Sequence, residues 1–383
     1  MNPPRISLSP PHLSGAEQAY ITQAFASNWV TSMGANVDGF ESDITFTTKC
    51  GYAVALNSGT SAIHLALRIL NIEPGDFVLC PTLTFTATAA PITYLKGIPL
   101  FIDSEADTFN MDPDICEETI KKMILRNKKP KAMLVVHLYG MPAKIEKLLR
   151  LSKLYDIPLI EDAAEALGST YNNQACGTFG EVGIYSFNGN KIITTGGGGA
   201  LVTANPFLEK RARYLSNHAR ELLPHYHHQE VGYNYRLSNI SAGIGRGQLS
   251  VLGDRIAARK RNFEKYKKYF QNNERVNMQE APDSLFNSNR WLTSILLEPE
   301  FYKKADKNLL MDSFEAANIE TRPLWKPLHL QPAYKGFPFR GGMVAEDLFN
   351  KGICLPSGSN MRESDFERIF AVFETVQKVL LGA

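Results

Sequence analysis

The sequence has no apolar run approaching the ~20 residues that a membrane-spanning helix requires. Met1 to Pro11 carries neither the basic segment nor the apolar stretch of a secretory leader. Cysteine is sparse. Cys50, Cys80, Cys116, Cys176 and Cys354 are scattered and none forms a CxxC pair, so neither a zinc ribbon nor a disulfide framework is signalled. The expectation is a protein of the reducing cytoplasm. An excess of one charge is also missing, because the formal net charge is only +2. A nearly balanced chain has no overall field to attract a polyanion, which points away from nucleic acid as a partner. Internal repeats and low-complexity tracts are absent too.

What the chain does have is the means to bury a core: 44% of it is hydrophobic and 21% charged. Its 383 residues correspond to two or three domains at about 150 residues each. After a Pro-rich arm (Pro3, Pro4, Pro10, Pro11), Ser14 to Phe25 reads as a helix capped by Ser14. From Tyr52 onward, short apolar strands alternate with amphipathic helices. Residues 78–80, 99–103, 132–137, 157–161, 182–186 and 200–203 read as strands. Several are apolar throughout, as strands are when helices cover both faces of a sheet. Ala62, Leu65, Ala66, Ile69 and Leu70 fall on one helical face, and further helices are expected over about 112–127, 144–155 and 206–221. The alternation predicts an α/β fold with a largely parallel sheet. Beyond residue 253 the pattern shifts to a long basic helix over 254–272 and then becomes irregular. The division expected is a large domain over 1–253 and a smaller α+β domain over 254–383.

Ligands of open α/β folds gather at the carboxyl ends of the strands, and three loops there stand out. Asn57-Ser58-Gly59-Thr60-Ser61 leads directly into an amphipathic helix. Hydroxyls, glycine and free helical N–H groups suit a phosphate, although the same run would also serve as an ordinary cap. There is no GxxxxGK[ST], so it is not a nucleoside triphosphate loop. Glu161 and Asp162 end an apolar strand and must face opposite ways, so they are not a pair acting on one atom. One of them could meet a buried cationic ring nitrogen, or simply cap a helix. Ser186-Phe-Asn-Gly-Asn-Lys191-Ile-Ile-Thr194-Thr195 runs into Gly196 to Gly199 and places one lysine in a loop of glycines and hydroxyls. A partly desolvated lysine there can form a Schiff base with an aldehyde; a solvated loop residue is the plainer reading.

A phosphate cup, a carboxylate for a ring nitrogen and a Schiff-base lysine are the three attachments pyridoxal 5′-phosphate needs. Phe85, just after a strand, could stack on such a ring or serve as a core aromatic.

The chain resembles the sugar aminotransferases of the DegT/DnrJ/EryC1/StrS family. The likeness is carried in order by Trp29-Val-Thr-Ser, Asn57-Ser-Gly-Thr-Ser61, His137-Leu-Tyr-Gly140, Glu161-Asp-Ala-Ala-Glu-Ala-Leu-Gly168, the Lys191 loop, Gly232-Tyr-Asn-Tyr-Arg-Leu-Ser238 and Pro327-Leu-His-Leu-Gln-Pro332. It implies the aspartate aminotransferase type I fold. Lys191 would then be the Schiff-base lysine and Asp162 the partner of the pyridine nitrogen. Thr60, Ser61 and Ser186 would bind phosphate, and Phe85 would stack on the ring. Glu165 falls where many relatives carry His or Gln near the ring hydroxyl. Asn234 matches an asparagine that reaches the phosphate from a neighbouring subunit, so a homodimer is implied. His329, Arg322 and Trp325 are candidates for the sugar-nucleotide pocket. The family's usual Thr-Thr-Gly-Glu-Gly-Gly is here Thr194-Thr195-Gly196-Gly197-Gly198-Gly199, without the carboxylate.

Four finer segments, 186–191, 289–293, 320–326 and 351–358, resemble the subgroup that makes the UDP-N-acetylbacillosamine precursor. That resemblance implies transfer of the amino group of L-glutamate to C4 of a UDP-linked 4-keto-6-deoxy-N-acetyl sugar. Related acceptors carried on dTDP or GDP stay open. Dehydratases of the same fold carry histidine in place of the lysine, so Lys191 argues against that chemistry. A ligand-binding regulator would bring an added DNA-binding segment, for which the chain leaves no room. His225, His227 and His228 lie on a polar loop without the ligand spacing of a metal site, and no metal is expected.

Overall fold

The computed structural model describes residues 3–298 and 304–381. An eight-stranded sheet runs through it in the spatial order 52–56, 199–203, 182–186, 159–162, 132–136, 77–81, 98–102, 339–340. From 182–186 to 339–340 every neighbouring pair is parallel, whereas 199–203 is antiparallel to both its neighbours. The sheet is therefore mostly parallel.

Strand 132–136 is apolar throughout because successive side chains feed two different cores. Leu134 and Val136 enter the core that also holds Ala62, Leu65 and Ala66 of helix Gly59–Ile69. Met133 and Val135 point the other way, against Ile120 and Leu148 of helices Pro113–Leu125 and Ile145–Tyr155. Period two with both faces covered gives a continuous hydrophobic run. Proline at the first helical position and a side-chain cap set the starts of two helices, with Asp112 capping 113–125 and Asn205 capping 206–216.

A second, antiparallel sheet has the order 276–278, 293–297, 352–355, 322–323. Its core joins Ile295 and Ile353 to Tyr266, Phe314, Phe366 and Phe373 from helices 252–270, 304–316 and 363–381, and takes Ile6 from the N-terminal arm. The chain returns from this region to add Phe339–Arg340 to the edge of the large sheet. Asp103 fixes that return, its carboxylate accepting the N–H groups of Gly342, Val344 and Ala345.

Strand ends shift by one or two residues from the sequence expectation, helices Ala35–Thr48 and Asn239–Leu249 are not among those expected, and two helix boundaries differ for reasons the structure shows. The first helix is Glu17–Ala26, and Ser14 lies in the turn before it, where its Oγ accepts the Ala16 N–H while the Glu17 carboxylate accepts the N–H groups of Ser14 and Gly15. The helix from Pro206 stops at Ser216, since His218 and Ala219 take left-handed φ values of 61° and 51° and turn the chain. The basic helix is Leu252–Phe270. No helix among the described residues is long and apolar enough to cross a membrane.

Candidate active site

Strand register brings the candidate residues to one edge of the sheet. Leu56, Gly199 and Ser186 lie side by side across three strands, and Asp162 is paired with Ile184, two residues from Ser186. The parallel strands 52–56, 159–162 and 182–186 end here, and the antiparallel strand 199–203 begins here. The loops after 56, 162 and 186 and the glycine run before 200 therefore meet.

Ser58 caps helix Gly59–Ile69, its Oγ accepting the Ser61 N–H at 3.0 Å. Ser61 Oγ donates to Asn57 Oδ1 at 2.7 Å. Thr60 is the second residue of the helix, where N–H groups precede any intrahelical acceptor. A Cβ on Gly59 would lie only 3.1 Å from that of Ser186, so the third hydroxyl sits against the same helix end. Hydroxyls and N–H groups at a positive helix terminus suit a phosphate. Asn234 is exposed, and its carbonyl accepts from Asn57 Nδ2 of the same chain at 3.2 Å.

The glycine run makes this approach possible. A Cβ on Gly199 would lie 2.5 Å from Gly59 N and from Ser58 C, and one on Gly198 would lie 2.2 Å from Thr195 Oγ1. Gly196 has φ +81°. A Cβ at Gly196 or Gly197 would meet nothing within 4 Å, and Gly197 also lacks a left-handed φ, so neither space nor backbone excludes a side chain there. Gly199→Ala is accordingly expected to cost about 1–3 kcal/mol of stability and to loosen the cofactor. Gly197→Ala should stay within about 0.5 kcal/mol of the parent. Thermal melts and cofactor retention on dialysis check both.

Asp162 is buried. Thr88 Oγ1 donates to its Oδ2 at 2.8 Å and the Ala164 N–H to its Oδ1 at 3.1 Å. Burial raises its carboxyl above the ordinary value, while the Thr88 and Ala164 hydrogen bonds and the Lys191 charge pull it back. Glu161 points to the other side, as alternation requires. It accepts from His137 Nε2 at 2.9 Å and from the N–H groups of Gly177, Phe179 and Gly180, tying the loop 177–180 to the strand. The Ala143 N–H donates to His137 Nδ1, which leaves the proton on Nε2. Glu161 is thereby committed to structure.

Lys191 Nζ lies 3.3 Å from Glu165 Oε1 and 4.1 Å from the centre of the Trp291 ring. Burial raises the Glu165 carboxyl; the lysine charge and the Tyr139 N–H, donated at 2.8 Å, oppose this. Phe85 is half exposed, with its ring 5.2 Å from that of Trp325. Trp325 and Arg322 line a cavity of about 650 Å³ together with Tyr139, Trp291 and the arm residues Ser7 to Pro11. The buried Trp325 Nε1 finds no acceptor among the described residues. His329 is not on that wall. Its ring nitrogens face Thr82 Oγ1 at 2.7 Å and Glu346 Oε1 at 3.2 Å, and it stacks on Phe339 at 3.9 Å. Among the described residues no three His, Cys, Asp or Glu side chains gather as a metal ion would need.

Thr88, Tyr139 and Trp291 were not singled out from the sequence. Tyr139 and Trp291 lie within the family-like segments 137–140 and 289–293 but carry no role there, since each of the three reaches the site through a tertiary contact.

The donor set fits pyridoxal 5′-phosphate: hydroxyls at a helix end, a buried carboxylate with its own orienting donors, and one accessible amine. Gathered on a mostly parallel sheet, these attachments define a class, the pyridoxal phosphate-dependent aminotransferases of fold type I. Residues 11–374 match the DegT/DnrJ/EryC1/StrS aminotransferase family, and the chain belongs to that family of sugar aminotransferases. It is 46% identical over 97% of both chains to Bacillus subtilis EpsN, which is named as a pyridoxal phosphate-dependent aminotransferase. It is 35% identical over 96% of both chains to the GDP-perosamine synthase of Escherichia coli O157:H7. The PLP form of Streptococcus pneumoniae Spr1654, named as a sugar aminotransferase, superposes with a TM-score of 0.89 at 28% identity, covering 99% of this chain and 100% of that one.

Proposed function

We propose that the protein transfers the amino group of L-glutamate to C4 of a UDP-linked 4-keto-6-deoxy-N-acetyl sugar. The products are 2-oxoglutarate and a UDP-4-amino-4,6-dideoxy-N-acetyl sugar. One observation carries the acceptor reading: the four segments resembling the UDP-sugar subgroup converge on one cavity. Asn190, Trp291, Arg322, Trp325 and Cys354, drawn from all four, line it.

When bound, the cofactor supplies an electron sink for the carbon that exchanges its proton. Lys191 is the group that takes this proton and returns it, since its amine is the mobile base of the site. Asp162, oriented by Thr88 and Ala164, holds the proton on the ring nitrogen. Thr60, Ser61, Ser186 and the helix N–H groups bind the phosphate, while Phe85 and Trp325 cover the site and exclude water. The buried Trp325 N–H offers a hydrogen bond to the acceptor, and Arg322, at the cavity wall, offers charge to a diphosphate.

A homodimer that shares its sites belongs to the same proposal. Phe25, Trp29, Val30 and Met33 each expose at least half of their surface. They lie beside the segment that carries Asn234, since Asn239 Nδ2 donates to the Trp29 carbonyl at 2.9 Å.

The likeness to a GDP-perosamine synthase favours a second reading, a GDP-linked 4-keto sugar as acceptor. Incubation with glutamate and a panel of UDP-, dTDP- and GDP-linked 4-keto sugars, followed by NMR of the products, separates the two. Turnover of the UDP-N-acetyl sugar is expected. Turnover of a GDP or dTDP sugar with the UDP sugar untouched would replace the acceptor and leave the aminotransferase standing.

A further inference from the structure

Trp291 belongs to none of the cofactor contacts above, yet the Lys191 amine rests on its ring at 4.1 Å. The indole is 2% exposed and is fixed by three separate segments. Its Nε1 N–H donates at 2.7 Å to the carbonyl of Asn190, the residue before the lysine. Its backbone N–H donates at 2.8 Å to Asn289 Oδ1. Asn289 Nδ2 in turn donates to the carbonyls of Glu165 at 3.0 Å and Leu167 at 2.9 Å. The segment bearing Trp291 is thus joined to the segment bearing Glu165, the other group beside the amine.

The third tie is Arg259. It is 1% exposed, and its guanidinium donates to the Trp291 carbonyl, to the Ser357 carbonyl at 3.2 Å and to Ser9 Oγ at 2.9 Å. Ser9 donates to the same Asn190 carbonyl at 2.6 Å. Among the described residues no carboxylate hydrogen-bonds to this arginine. Its charge is spent on carbonyl and hydroxyl oxygens that surround the indole, which is a costly use of a buried cation unless the indole must stay in place.

We infer that Trp291 is a positioning residue for Lys191, its indole face seating the ammonium whenever the amine is free, with Arg259 holding that seat. An aromatic face favours the charged amine over the neutral one. Transamination requires the free amine to hold a proton between two transfers, and a seat that favours the ammonium keeps the proton near the reacting carbon. The charged groups facing Lys191 are Glu165 and Asp162. Tyr139 and Cys354 adjoin Glu165, and Arg259 lies behind the Trp291 carbonyl. This inference rests on the cofactor assignment and is independent of the acceptor sugar.

The test is capture of pyridoxal 5′-phosphate by the cofactor-stripped full chain across pH, followed by absorbance near the visible edge. Only the neutral amine attacks the aldehyde, so the inflection reports the proton on Lys191. Loss of the aromatic face in Trp291→Leu should move the inflection down by about one pH unit, and Trp291→Phe by roughly half as much. Glu165 and Asp162 are unaltered in both variants. A residue that only packs would lower the melting temperature and leave the inflection where it was. If the leucine variant fails to fold, the phenylalanine variant decides the question. An unchanged inflection in a folded variant overturns the inference alone. No capture by the unaltered chain at any pH overturns the cofactor assignment and the inference together.

Discussion

Lys191→Ala is expected to lose transamination by about 10³–10⁴-fold while the protein stays folded. The substitution removes the covalent anchor and the proton carrier in one step. Among the described residues the side chain hydrogen-bonds to Glu165 alone, so the fold loses little. Glu165 is left buried without its cation, and burial already favours its neutral form. Loss of the lysine charge raises its carboxyl further. Formation of 2-oxoglutarate from glutamate reads the loss, and a thermal melt separates it from unfolding. The variant should also lack the absorbance near the visible edge on addition of pyridoxal phosphate. Turnover near the parent rate would remove Lys191 from the chemistry.

Asp162→Asn is expected to lower turnover by about 10²–10³-fold, the scale of losing one preorganised charged partner. The amide keeps the shape and can still meet the Thr88 hydroxyl and the Ala164 N–H. It cannot hold a proton on the ring nitrogen by charge, which is the role proposed for the carboxylate. Cofactor should therefore still bind while exchange at the carbon slows. Glu161→Gln is the natural contrast, because Glu161 faces the loop 177–180 and not the site. Its effect should fall on stability. If Asp162→Asn matched the parent in turnover, the ring-nitrogen partner would lie elsewhere.

The parts of the site that could be read from the sequence are those with a local signature. The Ser58 cap and the helix after it, the carboxylates at the end of strand 159–162 and the lysine before the glycine run each declare themselves within about ten residues. Alternation separated Asp162 from Glu161 before any coordinates, and the opposite hydrogen-bond partners of the two carboxylates agree. Trp291 was not legible in this way, because it meets Asn190 across 101 residues of chain. Thr88 reaches Asp162 across 74 residues, and the need for glycine at 199 follows from strand register, not from composition. Strand Phe339–Arg340 is too short for a periodic pattern to form, and it exists because Asp103 and the neighbouring edge hold it. The helix starting at Glu17 shows the remaining kind of miss. Ser14 does accept a backbone N–H, from Ala16, and the Glu17 carboxylate takes those of Ser14 and Gly15, but together they close the turn before the helix, which begins three residues later than the residue type of Ser14 suggests.

The central claim is that this chain carries an amino group on its cofactor between two substrates, and the glutamate half-reaction tests it most directly. Purified protein loaded with pyridoxal phosphate is mixed with L-glutamate alone, and absorbance and 2-oxoglutarate are followed together. The account predicts that the band near the visible edge disappears as one 2-oxoglutarate is released per site, and that a nucleotide 4-keto sugar then restores it. A band that persists with no 2-oxoglutarate formed would contradict glutamate as the donor. If no amino acid bleached the band and no 4-keto sugar were aminated, the aminotransferase account itself would be wrong.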